Sequence, residues 1–93
     1  MTRYMVRVEL HYANEAHYQR LHALMAIHGL LRYIDNQTGG KVWLPPAEYT
    51  IVTNATANDV KAMAKISAAA LGLKFAVLVT EAVSVIWEGL QAA

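Results

Sequence analysis

From Tyr4 to Tyr12 apolar and polar positions alternate, with Tyr4, Val6, Val8 and Leu10 on one side and Met5, Arg7, Glu9 and His11 on the other. A period of two with β-branched residues predicts a strand that buries one face. The period changes after Asn14. Tyr18, Leu21, Leu24, Met25 and His28 fall on one side at three- and four-residue spacing. The segment to His28 therefore reads as an amphipathic helix, capped by Asn14 and stopped by Gly29.

Leu30 to Asn36 reads as a second strand, followed by a turn over Asp35 to Gly40 that is rich in residues tolerating positive φ. Val42 to Val52 reads as a bent third strand, hairpin-paired with the second and interrupted at Pro45-Pro46, which cannot donate to a ladder. Thr56 and Asp59 have capping-box spacing, with Val60, Met63, Ala64, Ser67, Ala70 and Leu71 lining a second helix that Gly72 closes. Lys74 to Thr80 is an apolar strand. Glu81 to Leu90 fits either a continued strand or a helix, and the spacing of Val83, Ile86, Trp87 and Leu90 favours a short C-terminal helix. The order is the α+β, ferredoxin-like split βαββαβ arrangement in a single domain, 1–93. It implies a four-stranded antiparallel sheet with both helices on one face.

Composition narrows the function classes. The chain is 56% hydrophobic and 16% charged, against roughly 45–50% and about 25% in ordinary domains. There is ample apolar surface to offset ordering entropy, so a disordered chain is excluded. A net charge of +1 argues against a protein that coats duplexes. The absence of cysteine rules out disulfides, thiolate metal sites and cysteine nucleophiles, and suits a reducing compartment. No signal-peptide pattern opens the chain, and its strongest apolar run, Phe75 to Val79, is far below the ~20 residues of a membrane span. The expected address is the cytoplasm, without a membrane partner.

Few residues offer chemistry. His17 and His28 share a helix face, but eleven residues at 1.5 Å rise separate them by about 16 Å. His22 points elsewhere, so a helical histidine metal site is rejected on spacing. No nucleotide-binding glycine loop or nucleophile elbow is present, and no cofactor is expected. Trp43 and Trp87 read as packing anchors. Arg20 and His22 lie off the apolar stripe. An arginine fork can clamp a phosphate and a histidine can move protons near neutral pH, a combination suited to RNA cleavage through the 2′-hydroxyl. At i and i+2 they do not face each other. Arg7, on the outward side of the first strand, with Arg32 and Lys61, supplies the remaining candidate phosphate contacts.

Tyr4-Met5-Val6-Arg7-Val8, Tyr18-Gln19-Arg20-Leu21-His22-Ala23-Leu24-Met25, the turn glycine before Leu44 and the Glu48-Tyr49 strand start resemble the GhoS family of type V toxin–antitoxin antitoxins. The likeness covers most of the first half of the chain. It implies a ferredoxin-like, metal-independent endoribonuclease acting on single-stranded RNA, with Arg20 and His22 at the family's basic helix positions. The second of these is an arginine in one relative of the family. The competing expectation is a non-catalytic interaction module that engages a protein partner through an exposed strand or sheet face. The apolar excess also points to a homodimer.

Overall fold

The computed structural model describes residues 1–93. The elements run β1 (Thr2–Leu10), α1 (Glu15–Ile27), β2 (Tyr33–Asp35), β3 (Lys41–Trp43), β4 (Glu48–Thr53), α2 (Ala57–Ala69) and β5 (Phe75–Ala82). β1 lies in the middle of a three-stranded antiparallel sheet of order β4-β1-β5, while β2 and β3 form a separate two-stranded sheet.

The alternation along β1 places each of its faces. Tyr4, Val6, Val8 and Leu10 meet Leu21 and Met25 of α1 and Val60, Ala64 and Ala68 of α2 in the main core. Both helices thus cover one face of the sheet. Each begins at a reciprocal cap, Asn14 with His17 and Thr56 with Asp59, which satisfies amide donors a helix start otherwise leaves orphaned. α1 ends at Gly29, whose φ of +80° is left-handed backbone that glycine adopts without a side-chain clash.

The other face of β1 nucleates a second cluster. Met5 packs with Val85, Trp87 and Leu90 against Ile34, Val42 and Leu44, so the β2–β3 hairpin and the C-terminal tail cover part of the sheet opposite the helices.

The four-stranded sheet anticipated from the sequence is overturned. Pro45 and Pro46 lack amide hydrogens, and Ala47 takes a left-handed φ of 68°. The anticipated Val42–Val52 strand therefore splits into β3 and β4. The anticipated second strand pairs its backbone with β4 only at Leu31 and Thr50, which exchange hydrogen bonds of 2.9 and 2.8 Å, and then pairs with β3 instead. The anticipated C-terminal helix is also absent. Residues 83–93 run irregularly along β3, where the Trp43 amide donates to the Gln91 carbonyl and the Ala93 amide to the Lys41 carbonyl. Val85 and Trp87 turn inward while Ile86 stays exposed, a period of two rather than of a helix turn.

Burial separates the energetic roles. Met25 is fully enclosed and Ile86 is 91% exposed. Met25→Ala is expected to cost about 2–5 kcal/mol of unfolding free energy, and Ile86→Ala to stay within about 0.5 kcal/mol. Urea denaturation followed by circular dichroism measures both.

Candidate functional site

α1 presents Leu21 and Met25 to the core, which sets the next residue, His22, at the rim of that buried stripe. Its Nδ1 lies 2.6 Å from the hydroxyl of Tyr49, a residue of β4 whose side chain is fully buried on the helix side of the sheet. The Tyr18 ring stands 6.5 Å from the imidazole. The Arg32 guanidinium carbon lies 5.8 Å from the centre of the Tyr49 ring, within cation–π range. Burial, followed by the nearby Arg32 charge, holds the His22 pKa below its ordinary 6.5. Burial likewise raises the Tyr49 phenol above its usual range. Near pH 7 a neutral imidazole and a protonated phenol share one hydrogen bond beside a guanidinium.

This geometry does not unite the residues singled out from the sequence. Arg20 is exposed on α1, about 200° around the helix from His22. Arg32 is committed to the backbone: its Nη1 donates to the carbonyls of Pro45 at 2.9 Å and Glu48 at 2.7 Å. Arg7 projects from the opposite sheet face and pairs with Glu48 at 3.2 Å. Lys61 is exposed on α2, in the helix layer. These cations occupy both sides of the sheet and form no common patch. Nor do any three His, Cys, Asp or Glu side chains come together to hold a metal ion.

A different set of side chains converges on the hairpin. The register pairs Tyr33 with Trp43 and Asp35 with Lys41 on its outer side. The two aromatic rings meet edge to face, 6.0 Å apart at 80°, and Trp43 remains 46% exposed rather than sealed in a core. The Lys41 ammonium lies 5.3 Å from the Tyr33 ring centre and 2.6 Å from the Asp35 carboxylate. That contact lowers the Asp35 pKa and raises that of Lys41. Next to them an open groove of about 370 Å³, lined by Arg3, Tyr33, Asp35, Lys41, Val52 and Thr53 among others, separates the hairpin from β4. Arg3 donates to the Thr50 hydroxyl at 2.7 Å. Because Thr50 turns its backbone toward Leu31, strand alternation turns that of Val52 the same way, unpaired at the groove.

Sequence reasoning missed this face because it treated Trp43 as a packing anchor and began the first strand at Tyr4, one residue after Arg3. The available signal was alternation about the Asn36–Gly40 turn, which puts Tyr33, Asp35, Lys41 and Trp43 on one side of a hairpin.

Two outcomes test the assigned roles. Arg32→Ala removes a charged donor to two carbonyls and is expected to destabilise the fold by about 2 kcal/mol, measured by urea denaturation. A base whose folded pKa is depressed leaves the unfolded chain binding more protons below its ordinary value, so stability falls with acidity. Wild type should therefore lose stability relative to His22→Gln as the pH drops from about 6.5 toward 5, as read by paired thermal melts. An identical pH dependence in the two proteins contradicts the assignment.

No helix of the protein is long and apolar enough to cross a membrane. No protein-family model matches the chain, and no curated protein matches its sequence.

Proposed function

We propose that the protein is a small cytoplasmic module that binds single-stranded RNA on the outer side of the β2–β3 hairpin, without cleaving it. The observation that carries this reading is the half-exposed Trp43, set edge to face with Tyr33 beside Lys41 and the Arg3 groove. An exposed aromatic face flanked by cations is what unstacked bases and their phosphates require, and it tolerates many sequences because every base has a π-face. The near-neutral net charge fits a short site with few phosphate contacts. The resemblance to GhoS antitoxins supports RNA as the ligand. Cleavage is left out because Arg20 and His22 diverge, and His22 is already bonded to Tyr49.

The protein-partner reading has one observation in its favour, the unpaired outer edge of β5.

Fluorescence anisotropy with a short labelled single-stranded RNA tests the proposal. Trp43→Ala should weaken binding roughly five- to a hundredfold, the loss of one base–aromatic stack. Lys41→Ala should reduce the salt dependence by about one ion. Arg20→Ala should bind as wild type does, and the RNA should remain intact throughout. Equal affinities for wild type and Trp43→Ala, or no binding by wild type, overturn the reading.

A further inference from the structure

The two edges of the main sheet are treated differently. Beyond β4 the edge is occupied at Leu31–Thr50 and broken by Pro45-Pro46 and Ala47. β5 has no such protection. It is an eight-residue strand, Phe-Ala-Val-Leu-Val-Thr-Glu-Ala, paired with β1 on one side only. It contains no proline, and Glu81 near its end is its one charged residue. Prolines, bulges and inward charges are the usual means of keeping such an edge from pairing.

The backbone direction follows from the ladder. His11 donates to the Lys74 carbonyl at 2.9 Å, so the register commits the backbones of Ala76, Leu78, Thr80 and Ala82 to β1. Phe75, Val77, Val79 and Glu81 then aim their N–H and C=O groups outward, away from every other strand.

We propose that β5 pairs antiparallel with β5 of a second copy of this chain, making one continuous six-stranded sheet. A two-fold axis normal to the sheet at Leu78 keeps helix-side residues with helix-side residues. It places Val77 opposite Val79 and Ala76 opposite Thr80, and sets Leu78, 63% exposed, against its counterpart. The charges select the same direction. Lys74 precedes one end of the strand and Glu81 lies near the other, on the opposite face, so antiparallel pairing keeps each charge away from its own counterpart. Parallel pairing would align like with like. The site is independent of the hairpin and of whatever binds there.

Light scattering coupled to size exclusion, together with amide hydrogen exchange of the full chain, tests the proposal. Wild type should show twice the 10.3 kDa chain mass at submillimolar concentration, with slow exchange at the Val77 and Val79 amides that accelerates on dilution. Val79→Pro deletes an amide that bonds nothing within the chain and should give a folded monomer. Leu78→Lys, which places two ammonium groups at the axis, should do the same and serves as the second variant if the proline perturbs folding. A monomeric wild type overturns the proposal, as does a dimer whose Val77 and Val79 amides exchange freely.

Discussion

Everything in this protein hangs on one strand that packs a cluster against each of its faces, with only Arg7 and Glu9 left open on the outer one. The even-numbered side chains of β1 hold two helices, and Met5 on its reverse side holds the hairpin and the tail. A chain of 93 residues can bury only a modest share of its surface, yet it builds two clusters because the central strand serves both. A slip of one residue in β1 register would exchange Val6 and Val8 for Arg7 and Glu9 in the main core. The cost of burying those charges fixes the pairing on both of its sides.

The second constraint is the chain break at Pro45-Pro46. Two residues without amide hydrogens cannot extend a ladder, and the carbonyls around them need another partner. Arg32 supplies it by donating to Pro45 and Glu48 while lying over Tyr49. One side chain thus replaces part of a missing strand contact and contributes to holding His22 neutral. The break also releases β2 and β3 from the main sheet and opens the groove beside Arg3. A residue that looked like an RNA contact is a structural clamp, and the surface that replaces it as the candidate exists because of that clamp.

The local signals were readable where a single physical rule governs them. Alternation from Tyr4 to Leu10, the apolar stripe containing Leu21 and Met25, and the Thr56–Asp59 cap each depend on neighbours in sequence. What the chain did not disclose depends on competition between distant segments. Leu31 starts a strand beside Thr50, but backbone pairing with Lys41–Trp43 takes over as soon as β3 diverges from β4. Trp87 fits helical spacing as well as an extended tail. The second cluster around Ile34, Val42 and Leu44 decides between them by accepting Val85 and Trp87 together. The His22–Tyr49 contact joins residues 27 apart in the chain, a distance that helix periodicity does not address.

The same division lets a nearly neutral domain present two separate candidate surfaces. With 16% charged residues, the surface cannot attract nucleic acid over a broad face. Any such contact would have to come from local geometry, and the Tyr33–Trp43 pair with Lys41 gathers two aromatic rings and an ammonium on one hairpin. The low charge also leaves β5 without the lysines that commonly guard an exposed strand. Apolar enrichment therefore has two consequences here: it supports two cores around one strand, and it leaves the far edge of the sheet chemically suited to another strand. The hairpin lies toward the β4 side and β5 is the opposite edge, so occupation of one does not obstruct the other.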